Sequence, residues 1–218
     1  MKLERKFMTI CVLLTVSLFV CISDSAYITN GDFSTGDLSG WSVFRTTYGN
    51  NGFAVPPVVQ FETCLLQDCK NALKFSVGTT KYPYSGGGGG ISQVVTLPSG
   101  NFELSVCTAV LDTKSASLLA NQNGGLFELL FDGVVAASYN YGVIAKDITY
   151  RHILTANLED VSAGDHEIRI RITRQYKSTT GAPYQYVGCI SLVPEPTTIA
   201  MLGLGGLIIF KRKSKTTN

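Results

Sequence analysis

Residues 166–173, HEIRIRIT, alternate between apolar and charged side chains after the histidine. Ile168, Ile170 and Ile172 occupy one face of this period-two pattern, whereas a glutamate and two arginines occupy the other. Successive side chains of a β-strand point to opposite faces, so the pattern predicts a strand with one buried and one wetted face. The segment therefore belongs to a sheet that is covered on one side only.

Five further segments share the β-branched and aromatic composition of short strands. They are ALKFSV (72–77), ISQVVTL (91–97), FELSVCTAV (102–110), LFELLF (126–131) and VVAASY (134–139). The turn signals between strands are Asn30-Gly31, Asn50-Asn51-Gly52, Pro98-Ser99-Gly100, Asp132-Gly133 and Ala163-Gly164-Asp165. Because this region shows no convincing amphipathic helix, we predict one all-β domain over 27–193, a single antiparallel β-sandwich of the jelly-roll type.

The N-terminal end differs in composition from this middle segment. Residues 1–26 begin with a positively charged stretch, continue as an uncharged apolar run and close on small residues, which is the layout of a secretory signal peptide. Acidic residues slightly outnumber basic ones over 27–193. The excess of 18 Lys and Arg over 16 Asp and Glu in the whole chain therefore comes from the ends, and nucleic-acid binding is disfavoured.

The C-terminal segment, 194–218, contains a Pro-Glu-Pro tripeptide, an uncharged apolar run and a basic cluster in that order. The residues that define the tripeptide and the cluster are Pro194, Glu195, Pro196, Lys211, Arg212 and Lys213. At about 1.5 Å per residue, a helix over the apolar run spans roughly 20 Å, less than the roughly 30 Å hydrocarbon core of a bilayer. Basic clusters tend to stay on the cytoplasmic side, so an exported domain lies outside the inner membrane.

These three ordered features resemble the PEP-CTERM sorting signal of exported bacterial proteins. The resemblance implies a transient helix in the inner membrane and a membrane-embedded processing enzyme, an exosortase, that cuts near the Pro-Glu-Pro tripeptide. It also implies release to the cell surface or the extracellular matrix. A buried C-terminal helix and an ordinary tail anchor are the alternative interpretations.

A second resemblance covers most of the middle segment. NGDFSTGDLSGWSV (30–43) is similar to the opening of galactose-binding-like jelly-roll modules, several of which bind carbohydrate, and QYVGCISLV (185–193) is similar to their closing strand. The resemblance implies a core position for Trp41. Calcium-holding members have acidic residues where this chain has Ser34 and Gly188, so we expect no cofactor and disfavour a structural calcium ion.

Four of the six cysteines remain once the signal peptide is removed. An even number in an oxidising compartment predicts disulfides, and four cysteines allow three pairings. Cys64 and Cys69 flank a short loop that a bridge can close, and Cys107 and Cys189 share a non-core face if their strands pair. We therefore expect the bridges Cys64–Cys69 and Cys107–Cys189. A zinc site is the rival interpretation, but a C-x4-C pair without a neighbouring histidine has poor ligand spacing.

Signals for catalysis are weak. His152 has no sequence-local partner, His166 directly follows a turn, and neither G-x-S-x-G nor H-E-x-x-H occurs. Paired carboxylates among Glu103, Glu128 and Asp132 stay open, although solvated strand positions account for these residues more simply. We therefore expect no enzymatic activity.

Aromatic side chains beside loops and turns provide the stacking area that sugar rings use. The candidates are Tyr82, Tyr84, Tyr139, Tyr141, Tyr184 and Tyr186. The SGGGGG stretch at 85–90 lacks the Lys-Ser/Thr pair of a phosphate-binding loop and is interpreted as a mobile loop. We predict a non-catalytic exported protein that contacts extracellular polysaccharide. The alternative is a structural or adhesive surface protein that binds protein partners without a sugar site.

Overall fold

The computed structural model describes residues 27–65, 69–80, 86–113, 122–175 and 183–195. These residues form twelve strands: β1 (Ser42–Arg45), β2 (Gly49–Asn50), β3 (Val58–Gln60), β4 (Asn71–Phe75), β5 (Gly78–Thr79), β6 (Gly87–Leu97), β7 (Gly100–Leu111), β8 (Leu126–Phe131), β9 (Val134–Asn140), β10 (Thr149–Val161), β11 (Gly164–Arg174) and β12 (Tyr184–Pro194). The predicted signal peptide and the apolar and basic parts of the tail lie outside the described residues. Within those ranges, no helix has the length and apolar character needed to cross a membrane.

Two antiparallel five-stranded sheets share one core. The first sheet has the order β1-β6-β11-β8-β9, and the second has the order β10-β7-β12-β4-β3. Strands β2 and β5 form a separate short pair. From β6 onward the chain changes sheet at every connection except that between β8 and β9, which are neighbours in the first sheet. The predicted antiparallel β-sandwich of the jelly-roll type is confirmed.

The alternating face of β11 is buried as HEIRIRIT predicts. Ile168, Ile170 and Ile172 are at most 1% exposed and belong to the same core cluster as Leu104 and Leu192 of the second sheet. Full burial of an isoleucine side chain contributes about 1.5–3 kcal/mol. A slip of one residue in the pairing of β11 would turn all three isoleucines to the opposite face, so the apolar pattern specifies the register.

Strand register defines two ends of the sandwich. At the groove end, named for the groove described below, Leu111 at the finish of β7 pairs with Thr149 and Tyr184 at the starts of β10 and β12. At the opposite end, the tail end, Phe102 of β7 pairs with Pro194 at the finish of β12. The chain therefore proceeds toward its C-terminal tail from the end opposite the groove end.

The glycines at 87–90 begin β6, so the predicted mobile loop is wrong for these residues. They are buried, and they pair with β11 and in part with β1. A Cβ atom on Gly88 would collide with the Ile172 carbonyl, and one on Gly89 would collide with the Phe44 carbonyl. Glycine is required here because neighbouring backbone approaches more closely than a side chain permits.

The NGDFSTGDLSGW segment folds onto itself through its own polar groups. The Asn30 Nδ2 donates to the Asp37 carbonyl at 3.0 Å, and the Asp37 Oδ1 accepts a hydrogen bond from the Thr35 hydroxyl at 2.7 Å. The Trp41 Nε1 donates to the Asn30 carbonyl at 3.2 Å, and the Trp41 side chain is 7% exposed within the core cluster. The core position predicted for Trp41 is confirmed.

Replacing Gly88 by alanine should destabilise the sandwich, because the added methyl group forces β6 away from the Ile172 carbonyl of β11. We expect a loss of about 1–3 kcal/mol, the usual cost of overpacking. Gly86→Ala is the matched control, since no atom lies within 4 Å of its Cβ position. Urea-unfolding midpoints of the wild type and both variants measure the difference. Equal midpoints for the two alanine variants would contradict the close approach at Gly88.

Candidate functional site

A groove of about 460 Å³ crosses the first sheet at the groove end. The register places Asn140 of β9, Leu126 of β8 and Thr173 of β11 in one row across three neighbouring strands. The groove is lined by Gly86, Asn123, Leu126, Asn140, Thr173, Arg174 and Gln175. Most of these side chains are polar, and several are placed by paired strands rather than by loops alone.

Two asparagines of the groove are held by the same kind of local turn. The Asn123 Oδ1 accepts a hydrogen bond from the Gly125 N–H at 2.8 Å, and the Asn140 Oδ1 accepts one from the Gly142 N–H at 3.0 Å. Neither Nδ2 group has a hydrogen-bond partner among the described residues. Each amide therefore has its oxygen occupied and its two N–H donors available to an acceptor in the groove.

Buried polar bonds hold the base of the groove. Arg174 is 2% exposed, and its Nη1 donates to the Val77 carbonyl at 3.1 Å. Gln185 of β12 is fully buried; its Oε1 accepts from the Val77 N–H at 2.9 Å, and its Nε2 donates to the Gly124 carbonyl at 3.2 Å. These bonds join the end of β11, the segment between β4 and β5, and the turn that carries Asn123. The groove therefore has a rigid base.

The neighbouring row on the same face of the first sheet contains an ion pair. The Arg171 Nε and Nη2 donate to the two carboxylate oxygens of Glu128 at 2.6 Å and 2.9 Å. Ser138 of β9 lies opposite Glu128 on its other side. The hydrogen bonds to Glu128 raise the pKa of Arg171 above its ordinary value. Glu128, one of the carboxylates considered for catalysis, is thus held by an arginine in a bidentate contact.

The four predicted tyrosines that the structure describes do not gather in one place. Tyr82 and Tyr84 lie outside the described residues, and the segment that contains them continues into Gly86, which lines the groove. None of the other four tyrosines is among the groove-lining residues. The four described tyrosines are therefore divided between the edge of the sandwich and the outer face of the second sheet.

Tyr139 and Tyr184 are each covered on one ring face. Tyr139 is 37% exposed, and its ring stacks on His152 of β10 with centroids 3.7 Å apart. The Lys74 ammonium lies 3.6 Å from the centroid of the Tyr184 ring, in a cation–π contact. The Tyr139 ring also meets the Tyr141 ring at 87° with centroids 4.9 Å apart, and Tyr184 packs against the buried cluster of Ala72, Ala109 and Tyr186.

Tyr141 and Tyr186 are packing residues. The Tyr141 hydroxyl donates to the Thr108 carbonyl at 3.0 Å, and its ring meets Phe127 edge-on. The Tyr186 ring is 4% exposed and stacks parallel to Phe61 with centroids 3.6 Å apart. Burial raises the pKa of Tyr141 and raises that of Tyr186 to about 12. Their ring faces are therefore used inside the protein.

The structure corrects the predicted disulfide pairing. It joins Cys69 to Cys189, with Cα atoms 5.8 Å apart, and leaves Cys64 and Cys107 as thiols. The pairs Cys64–Cys69 and Cys107–Cys189 are wrong because the segment after β3 packs over the outer face of the second sheet. That packing brings Cys64 and Cys69 next to Cys107 of β7 and Cys189 of β12. Strands β7 and β12 are paired, with Gly188 opposite Cys107.

His166 lies at the tail end and binds Asp132. Its Nδ1 lies 2.7 Å from the Asp132 Oδ2, its Nε2 lies 2.9 Å from the Ser162 carbonyl, and it is 8% exposed. The hydrogen bond to Asp132 raises the pKa of His166. Burial alone would raise the pKa of Asp132, but the hydrogen bonds from His166 and from the Glu167 N–H hold it below its ordinary value. The pair is therefore stable as imidazolium and carboxylate, and both ring nitrogens are engaged by the protein.

This pair should make the sandwich more stable at mildly acidic than at alkaline pH. A histidine whose pKa is raised by folding stabilises the protein fully below its unfolded pKa of about 6.5, and this contribution is lost as the pH rises through the folded value. The carboxylate contribution of Asp132 is lost only as the pH falls through its lowered pKa. We therefore expect the free energy of unfolding to decline as the pH rises above about 6.5.

Asp132→Asn tests whether the His166–Asp132 pair causes this decline. Asparagine also suits the turn at φ 49°, but its side chain cannot ionise. Urea unfolding at several pH values should show a flatter decline for this variant than for the wild type. Asp147→Asn, which changes an exposed carboxylate at φ 57°, is the matched control and should keep the wild-type slope. An unchanged slope in Asp132→Asn would assign the decline to other groups.

Residues 192–214 match the PEP-CTERM protein-sorting motif. The match contains the predicted Pro194, Glu195 and Pro196 and the basic residues at 211–213. Together with the fold, it defines an exported β-sandwich protein that carries a C-terminal sorting motif. No curated protein matches the chain in sequence.

Several solved structures resemble the chain at low similarity. TmCBM61 in complex with β-1,4-galactotriose has 15% identity over 78% of this chain and 98% of that chain, with a TM-score of 0.45. A putative sugar binding protein from Bacteroides thetaiotaomicron VPI-5482 has 11% identity over 78% and 99%, with a TM-score of 0.44. A cyclase from Fischerella sp. TAU has 14% identity over 78% and 96%, with a TM-score of 0.44. At such low sequence identities and TM-scores, these similarities do not assign a function to the chain.

Sequence reasoning missed the groove asparagines, although a signal for them exists. Both occur in an Asn-x-Gly spacing, at 123–125 and 140–142, which also occurs at 50–52. In all three, the asparagine Oδ1 accepts a hydrogen bond from the glycine N–H two residues later. The spacing indicates a turn with an oriented amide. That two of these turns lie at one groove follows only from the pairing of β8 with β9.

Proposed function

We propose that the exported domain binds polysaccharide without catalysing its conversion, and that the groove is its binding site. The observation that carries this proposal is the pair of groove amides, Asn123 and Asn140, whose oxygens are occupied and whose Nδ2 donors are available. Sugar hydroxyl oxygens accept hydrogen bonds from such donors. Leu126, which lies beside Asn140 in the same row, adds an apolar surface, and the Thr173 hydroxyl adds a donor and acceptor.

Tyr82 and Tyr84 complete the proposed site as stacking rings. They precede Gly86 in the chain by a few residues, so their segment connects directly to the groove wall. A sugar ring presents C–H groups on its face and hydroxyl groups at its rim, which suits one aromatic contact and several amide contacts at once. The resemblance of the middle segment to galactose-binding-like jelly rolls supports the same ligand class.

The carboxylates of the sandwich support binding rather than catalysis. A general acid that cleaves a glycosidic bond needs a raised pKa so that it holds a proton near neutral pH. Asp132 instead has a lowered pKa beside His166, and Glu128 forms a bidentate ion pair with Arg171. The environment of Asp132 favours its ionised form, and both carboxylate oxygens of Glu128 are occupied by Arg171.

The sorting motif supports the proposed location. An exosortase-type enzyme would remove the tail near Pro194–Pro196 after a transient stay in the inner membrane, and the domain would pass to the cell surface or the matrix. Because the chain proceeds toward its tail from the tail end, the groove end is the one remote from the point of attachment. The groove would therefore be open to polysaccharide before and after processing.

Replacing both groove amides should weaken polysaccharide binding. Asn123→Asp/Asn140→Asp keeps an oxygen for each turn and exchanges the NH2 donor for a second carboxylate oxygen. We expect at least about tenfold weaker binding to the host's purified polysaccharide, since two hydrogen bonds of about 1 kcal/mol each are lost. Asn101→Asp is the matched control, because the Asn101 Oδ1 accepts from the Asp160 N–H at 2.9 Å at the tail end. Isothermal titration calorimetry compares the dissociation constants.

The tyrosines are tested in the same titration. Tyr82→Ala/Tyr84→Ala should weaken binding several-fold, because each stacked ring contributes on the order of 1 kcal/mol. Equal binding by this variant would remove these two tyrosines from the site. A wild-type protein without affinity at millimolar sites would refute polysaccharide binding and favour a structural or adhesive role with protein partners.

Removal of the tail can be measured directly. Intact mass spectrometry of the protein from the surface fraction of its native cells should show a chain that lacks the signal peptide and residues 197–218. A surface protein that retains the apolar run and the basic cluster would contradict processing, whatever the groove binds.

A further inference from the structure

Four cysteines cluster on the outer face of the second sheet, apart from the groove. The Sγ atoms of Cys64, Cys69 and Cys107 lie within 4.8 Å of one another, and these side chains are at most 3% exposed. Cys189 packs against the same three residues and is bonded to Cys69, which is 120 residues away in sequence. The fold therefore collects cysteines from three separate parts of the chain in one buried place.

The segment that supplies Cys64 is held against the sheet by bonds on both sides of it. The Phe61 N–H donates to the Lys70 carbonyl at 3.0 Å, which closes the segment on itself. The Arg151 Nε of β10 donates to the Glu62 carbonyl at 2.9 Å. These bonds keep Cys64 close to β7, where its thiol is hydrogen-bonded with that of Cys107. Two thiols in direct contact can close a disulfide with small rotations of their side chains.

We propose that Cys64 and Cys107 form a second disulfide in the exported protein, beside Cys69–Cys189. The two thiols together lose two protons and two electrons as their S–S bond forms. An exported dithiol–disulfide oxidoreductase, or oxidised glutathione in vitro, accepts them, and its disulfide becomes two thiols. The proposal depends on export and on the cysteine cluster, and it is independent of what the groove binds.

Burial affects when this bond forms. Burial, together with the neighbouring Cys64, raises the pKa of the Cys107 thiol. Because the thiolate is the attacking species in disulfide formation, the folded cluster disfavours the reaction at Cys107. The bond is therefore expected to form while the segment after β3 is still open to the oxidant. Once formed, it is shielded from reductants by the same burial.

A thiolate-bound zinc ion is the competing occupant of such a cluster. Four cysteines would have to offer thiolates to it at once. Cys69 and Cys189 are bonded to each other, so neither offers a thiolate while that bond persists. The bond between them therefore favours a second disulfide over a metal.

Disulfide mapping of the full exported protein tests the pairing. The protein is denatured and alkylated with iodoacetamide without reduction, and then cleaved before aspartate and after lysine. Cuts between Gln67 and Asp68 and after Lys70 place Cys64, Cys69 and Cys107 on three separate peptides. A linked pair of peptides that contains Cys64 and Cys107 is the expected result. Alkylation at both residues would overturn the proposal, as would links Cys64–Cys69 and Cys107–Cys189. A native mass one zinc ion heavier, with all four thiols alkylated after chelation, would also overturn it.

Thermal unfolding gives a second test that does not depend on peptide recovery. Cys64→Ala, Cys107→Ala and the double variant should each lower Tm on the order of 5–10 °C, and by equal amounts, because each removes the same bond. Losses that add in the double variant would show independent packing contributions and contradict the bond. A fully reduced wild type should unfold at a lower temperature than the double variant, which retains Cys69–Cys189.

Discussion

Burial of the isoleucine face of β11 is the constraint on which the rest of the structure depends. β11 is the central strand of the first sheet and pairs with β6 on one side and β8 on the other. Its register positions Arg171 beside Glu128 and Thr173 beside Leu126 on the opposite face. The groove and its neighbouring ion pair are therefore arranged by an apolar pattern that lies on the far side of the same strand. A substitution in the core that shifts β11 would therefore move the groove residues through backbone pairing, even though the core and groove side chains lie on opposite faces of the strand.

Much of the fold follows from period-two patterns, and the exceptions have identifiable physical causes. Strands such as β8 and β11 combine alternation with β-branched and aromatic residues, so their type is evident from local sequence. Residues 152–158 of β10 also alternate, but exposed polar positions dilute the apolar signal, so the local pattern does not predict this strand. The glycine run at 87–90 has a loop-like composition and became a strand because of backbone packing from β1 and β11, which no local pattern contains. Local sequence therefore predicts strands that have a period-two pattern and a strand-like composition. It does not predict a strand that forms because distant backbone segments pack closely together.

The candidate site was less accessible to sequence than the fold. A tyrosine beside a turn looks the same in sequence whether its ring is stacked internally, as in Tyr186 on Phe61, or exposed, as in part of Tyr139. The predicted cysteine pairing was wrong for a similar reason. The segment after β3 covers the second sheet through contacts between residues far apart in sequence, which no local pattern reveals. Turn chemistry was more informative than aromatic content, because an Asn-x-Gly spacing specifies which end of the amide remains available. In such sandwiches, polar turn residues are therefore as useful as aromatic residues for predicting a binding site from sequence.

The sorting motif begins inside the folded domain rather than after a spacer. Pro194 is the last residue of β12, and the Glu195 N–H donates to the Asn101 carbonyl at 3.0 Å. A cut close to this point would release a sandwich whose C-terminus coincides with the end of a hydrogen-bonded strand. Exopeptidases need a few residues of loose chain to begin digestion, and such a product would offer them almost none. In a compartment rich in proteases, the position of the motif would extend the lifetime of the released protein.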